Sequence, residues 1–122
     1  MQISPAELEV MKVLWTSAPQ TASDIAEQIG PKKDWSDRTV KTLLSRLVDK
    51  GALRTESEGR RYLYSPVLEQ DAYQTKETGH FVDRLFGGRA APLVAHLAND
   101  RGLDADDIAE LEALLEELKN DR

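Results

Sequence analysis

Residues 35–51 read WSDRTVKTLLSRLVDKG, and this stretch decides the fold. Val40, Leu43, Leu44, Leu47 and Val48 recur at i, i+3, i+4, i+7 and i+8, the spacing of one apolar stripe along an α-helix. Ser36 suits the N-cap, where its hydroxyl can accept from a free amide, and Gly51 suits the stop. The opposite side carries Arg38, Thr39, Thr42, Ser45 and Arg46. At about 100° per residue, Thr39, Thr42 and Arg46 share a narrow sector, with Arg38 and Ser45 alongside. A helix face that only meets water usually mixes Glu with Lys. Short hydroxyls and guanidinium groups instead match base edges and phosphates. Arg can bond guanine through two hydrogen bonds, and a Thr methyl can touch a thymine methyl.

Working outward, Ser4-Pro5-Ala6-Glu7 is a capped helix start, and Leu8, Met11, Leu14 and Trp15 give that first helix its inner face. Residues 17–20 break it. Thr21 with Asp24 opens a second helix, whose stripe is Ala22, Ile25, Ala26 and Ile29. Gly30-Pro31 is expected to end it, leaving residues 31–35 as a linker. Trp35 then serves as a hydrophobic staple on the next helix. Downstream, two extended segments at about 52–56 and 61–65 are joined by Ser57-Glu58-Gly59, with Tyr62 and Tyr64 alternating with Leu63. Arg60 and Arg61 sit beside the hairpin tip, where cations lie along phosphates or enter a minor groove. Lys50 and Arg54 flank the same region. Three helices followed by a hairpin is the order of a winged helix-turn-helix DNA-binding domain, expected over residues 1–66.

Past Pro66 the pattern is helical throughout. A helix over about Glu69–Phe86 uses Tyr73, Phe81, Val82, Leu85 and Phe86 and ends at Gly87-Gly88. A shorter one covers about Ala90–Asn99, and Asp104 with Asp107 opens the last. There Ile108, Leu111, Leu115 and Leu118 are spaced 3, 4 and 3 apart, with Leu114 beside them, a helix–helix seam about two heptads long. DNA readers of this size bind in pairs to half-sites about one helical turn apart, which makes residues 67–122 a helical dimerisation domain. The competing reading folds the same stripe onto the first domain as monomeric core. The fold class expected is mainly α with a small β-ribbon.

A net charge of −6 argues against nucleic acid only until its distribution is read. Residues 1–66 hold 10 basic and 9 acidic side chains, residues 67–122 hold 6 and 13, and residues 32–61 hold 9 and 5. Screening limits the reach of charge to about 8 Å at physiological salt, so phosphates feel the local excess. Cysteine is absent, which removes disulfides and thiolate metal sites and fits a reducing cytoplasm. No apolar run reaches membrane-spanning length and no signal-peptide pattern opens the chain. His80 and His96 lack partners at metal-ligand spacing, and the acidic residues at 100–107 lack the spacing of a calcium loop. No nucleophile–base pair or phosphate-cradling glycine loop is present. No enzyme activity, metal or cofactor is therefore expected. Two other classes stand beside the DNA reader: a winged helix that binds a protein partner, and a small-molecule-responsive regulator.

Several segments resemble the BlaI/MecI/CopY family of bacterial repressors over nearly the whole chain. ISPAELEVMKVLW is similar to the family's first helix, KDWSDRTVKTLLSRLVDKGAL to its recognition segment, and RYLYSPV to its wing strand. FVDRLFGG and LDADDIAELEALLEEL are similar to its dimerisation helices, which puts Phe81 and Leu85 beside the C-terminal seam. The resemblance implies a homodimeric repressor that blocks transcription by occupying near-palindromic operators with TACA/TGTA-type half-sites. It places the family's recognition contacts on Arg38, Thr39, Lys41, Thr42 and Arg46. It also implies a membrane sensor-protease upstream in the β-lactam branch, where the family's Asn-Phe cleavage bond falls here on His96-Leu97. Copper sensing through a C-terminal cysteine cluster is ruled out by the absence of cysteine.

Overall fold

The computed structural model describes residues 1–121. The elements run α1 (Pro5–Thr16), β1 (Gln20–Thr21), α2 (Ala22–Lys33), α3 (Asp37–Asp49), β2 (Leu53–Glu58), β3 (Arg61–Pro66), α4 (Gln70–Phe86), α5 (Ala90–Asp100) and α6 (Ala105–Asn120). The chain divides into two compact units at Gln74/Thr75, a point inside α4. Among the described residues no helix is long and apolar enough to cross a membrane.

The first unit is held by one apolar cluster. Val10, Met11 and Leu14 from α1 meet Ile25 and Ile29 from α2, Val40, Leu43, Leu44 and Leu47 from α3, and Ala52 and Leu53 at the start of β2. Each helix begins with a side chain that satisfies otherwise orphaned amides. Ser4 and Glu7 form a reciprocal capping box on α1, Thr21 and Asp24 do the same on α2, and Ser36 Oγ accepts from the Thr39 amide on α3. The end of α3 is equally defined. Gly51 takes φ 82°, its amide donates to Val48 O, and the Ala52 amide donates to Leu47 O. That pair of bonds caps the last carbonyls and turns the chain straight into β2. Trp15 and Trp35 are half-buried against the cluster, and Trp15 Nε1 donates to Leu68 O at 2.8 Å.

The structure departs from the sequence pattern at two places. Helix α2 does not end at Gly30-Pro31 but continues to Lys33, closing on Asp34 in the left-handed region (φ 57°, ψ 39°). Proline inside a helix removes one donor and crowds one preceding carbonyl. One turn from the end, that loss is confined to a place where the ladder is about to finish. Gly30 also has a packing reason to be glycine, since a Cβ there would lie 3.1 Å from Trp35 O. The hairpin turn, in turn, is Gly59-Arg60 rather than Ser57–Gly59. Glu58 pairs with Arg61, so Ser57 and Glu58 belong to β2. Gly59 at φ 61° occupies the first turn position, the one where a tight hairpin needs a positive φ.

The sheet has three antiparallel strands in the order β1-β3-β2. The two-residue β1, with Gln20 opposite Tyr64 and Thr21 opposite Leu63, fastens the hairpin to the start of α2. Three helices with this hairpin form a winged helix-turn-helix, and β2–β3 is its wing.

The second unit is different in kind. Among the described residues, α4, α5 and α6 contain no buried side chain. Phe86 contacts Phe81 (ring centroids 5.9 Å) and His96 (6.0 Å). Gly87 and Gly88, both at positive φ, turn the chain between α4 and α5. Asp104 Oδ1 accepts from the Asp107 amide and starts α6.

Candidate nucleic-acid interface

The amphipathic pattern of α3 fixes what the first unit shows to its surroundings. With Val40, Leu43, Leu44 and Leu47 buried, the remaining arc must face outward. Arg38, Thr39, Lys41, Thr42, Ser45 and Arg46 are all exposed. Most lie along one shallow depression of about 280 Å³, lined by Arg38, Thr39, Thr42, Leu43 and Arg46. Lys41 is not in it. At about 100° per residue, Lys41 lies about 140° round the helix from Arg46. It lines a second groove of about 360 Å³ together with Arg60 and Arg61 of the wing. The sequence-predicted contacts therefore gather into two sets on the two flanks of α3.

The hydroxyls of the first set are already oriented. Thr42 Oγ1 donates to Arg38 O at 3.0 Å, and Thr39 Oγ1 lies 3.1 Å from Ser36 Oγ. Thr42 thus presents lone pairs and a methyl group rather than a free donor, which suits contact with a thymine methyl. The cations of both sets are mostly uncommitted. Among the described residues, Arg38, Lys41, Arg46 and Arg60 take part in no ion pair, and Arg61 makes only an exposed 3.6 Å contact with Glu58. Exposed pairs of that kind are worth little and exchange readily for a phosphate.

Lys50 behaves otherwise. Its Nζ donates to Glu7 Oε1 at 2.5 Å and to Gln2 O at 2.8 Å, which ties the end of α3 to the start of α1. Glu7 is 1% exposed, a burial that the sequence reading missed because the residue looked like a surface capping partner. Burial pushes its carboxyl pKa up, but hydrogen bonds from Lys50 and from the Ser4 amide and hydroxyl outweigh that. The net result is a pKa below the ordinary carboxylate value. Lys50 is thereby spent inside the domain.

Among the described residues no three His, Asp or Glu side chains gather closely enough to hold an ion.

A family model described as penicillinase repressor matches residues 3–117. The chain belongs to the penicillinase repressor family. A penicillinase repressor of Bacillus licheniformis is 35% identical over 119 residues, covering 98% of this chain and 93% of that protein. The methicillin resistance regulatory protein MecI of Staphylococcus aureus (strain N315) is 32% identical over 114 residues, covering 93% of each. Among solved structures, the Bacillus licheniformis BlaI monomeric form in complex with the blaP half-operator is 40% identical with a TM-score of 0.53, covering 60% of this chain and 89% of that one. The winged helix of this penicillinase repressor family member thus has a solved counterpart in complex with an operator fragment.

Proposed function

We propose that this protein is a transcriptional repressor that binds a near-palindromic DNA operator as a homodimer and acts by occupancy. One observation carries the reading. Helix α3 turns Thr39, Thr42 and Arg46 outward beside Arg38 and Lys41, next to a wing tipped by Arg60 and Arg61. A recognition helix of this make-up enters the major groove, where Thr39, Thr42 and Arg46 meet base edges and Arg38, Lys41, Arg60 and Arg61 hold phosphates. The relative solved with its half-operator supports DNA as the ligand.

Dimerisation follows from the second unit. Phe81, Leu85, Ile108, Leu115 and Leu118 are 40, 57, 45, 54 and 54% exposed, and Leu111 is half-buried. Apolar residues at seam spacing, left open in the single chain, are covered by a second copy of the same helices. Two copies then present two α3 helices to two half-sites. Such a protein needs no chemistry of its own, so it is a binding protein rather than an enzyme. Its place is the cytoplasm, with the chromosome.

The test is a fluorescence-anisotropy titration of the full chain on a duplex carrying a TACA/TGTA dyad and on its scrambled counterpart, across a range of salt. The dyad is expected to bind more tightly, with affinity falling as salt rises. Arg46→Ala should cost about 1–3 kcal/mol on the dyad and narrow its advantage over the scrambled duplex, whereas Arg61→Ala should weaken both alike and lower the salt slope by about one. Equal binding of dyad and scrambled DNA by the unaltered protein would refute sequence-specific repression.

A further inference from the structure

The two depressions on α3 have different makers. The one under Arg38, Thr39, Thr42 and Arg46 is built by α3 alone. The other is built jointly: Ser23 from the first turn of α2, Lys41 from α3, and Arg60, Arg61, Tyr62 and Tyr64 from the wing. The sequence pattern does not single out Ser23, and it gives Tyr62 only a place in a strand. In the structure Tyr62 is 57% exposed and lines the same groove as Lys41, Arg60 and Arg61. Its partner in the alternation, Tyr64, is half-buried and sits opposite Gln20 of β1, so β1 fixes the floor of the groove against the start of α2.

A helix lying in the major groove has a sugar–phosphate strand along each flank. The flank that bears Lys41 is the one beside the wing, so a strand on that side must pass the joint groove. That surface holds three cations, two of them unpaired, and two neutral hydroxyls, Ser23 Oγ and Tyr62 Oη, each able to donate to a phosphate oxygen. We propose that this groove seats one backbone phosphodiester of the bound duplex, and that Ser23 and Tyr62 are binding residues that complete its ligand set with Lys41, Arg60 and Arg61. The proposal rests on the DNA reading above and adds to it a specific consequence. A single phosphate touched by both α3 and the wing fixes the depth at which α3 enters the groove. Tyr62 and Ser23 thereby set register without reading a base.

The experiment uses the full-length protein and an operator duplex enriched from random DNA. Single methylphosphonate linkages, which are neutral, replace each phosphodiester of one half-site in turn. For the unaltered protein, neutralising the seated phosphate should weaken binding about five- to tenfold, the scale of a lost charge-assisted contact. In Tyr62→Phe and in Lys41→Ala the same linkage should cost less than it costs the unaltered protein, more clearly so for Lys41→Ala, because one of the partners is already gone. The other sensitive linkages should keep their full cost. Tyr62 is exposed, so Tyr62→Phe is expected to melt with the unaltered protein. If every sensitive linkage costs the variants as much as it costs the unaltered protein, the groove seats no phosphate and the inference falls, while the DNA reading stands. If no duplex is enriched at all, both fall. Inorganic phosphate should compete no better than chloride at equal ionic strength. Displacement of the duplex by dilute phosphate would assign the groove to a free anion and overturn the proposal.

Discussion

The two units of this chain carry apolar residues at the same helical spacings and use them in opposite ways. In the first, the stripes of α1, α2 and α3 close on one another, and twelve apolar residues among those described are buried. In the second, α4, α5 and α6 contain no fully buried side chain among the described residues, and Leu114, Leu115 and Leu118 of α6 stand open while Leu111 is half-buried. Spacing therefore says that a face seeks an apolar partner and does not say which. Burial answers that for the first unit, which finds its partners within itself. For the second, the proposed partner is another copy of the chain.

The comparison can be broken by changing each side separately. The largest effect is expected from Leu111→Asp combined with Leu115→Asp, which puts two carboxylates into the proposed seam. Sedimentation should show a mass near that of one chain. Operator affinity should drop on the order of a hundredfold, because two linked half-site contacts become independent. A dimer mass unchanged by this pair would mean that the copies do not meet through α6. Next, Leu44→Ala in the first unit should cost about 2–5 kcal/mol in a urea melt, since the side chain is wholly buried and its neighbours cannot all collapse into the space. The same substitution at Leu115 should leave the melt of the first unit nearly unchanged. An equal loss from both would erase the distinction between the units.

The smallest effect concerns pH. Glu7 has a folded-state pKa below its unfolded value, so its contribution is fully present above the unfolded value of about 4.3. It is lost as pH falls from there through the lower folded value. Thermal melts below about pH 5 should therefore show a decline that Glu7→Gln flattens, because the amide keeps the cap yet does not titrate. Parallel declines in both proteins would show that Glu7 is not the group responsible.

Much of the first unit was legible because its signals are local. Ser4 with Glu7, Thr21 with Asp24, and Ser36 each lie within one turn of the helix they start, and Gly51 marks the residue that leaves α3 at positive φ. What escaped the sequence was non-local. The strand β1 is only two residues long and exists because Tyr64 and Leu63, more than forty positions away, offer it a ladder. The burial of Glu7 depends on Lys50, likewise at the far end of the domain. Pro31 misled because proline is read as a stop, whereas its cost so near a helix end is a single bond. The outward residues of α3 were legible from periodicity. Their division into two sets was not, since it depends on where the wing stands beside Lys41.

The strongly acidic composition of residues 67–122 sets two demands of ionic strength against each other. In the proposed dimer, joining two copies through α6 would bring like-charged helices together, so added electrolyte would ease their union by screening the repulsion. Added electrolyte would also loosen the proposed grip of α3 and the wing on phosphates. Occupancy of the operator should thus rise and then fall along a salt gradient at low protein concentration, with its peak set by how the two slopes cross.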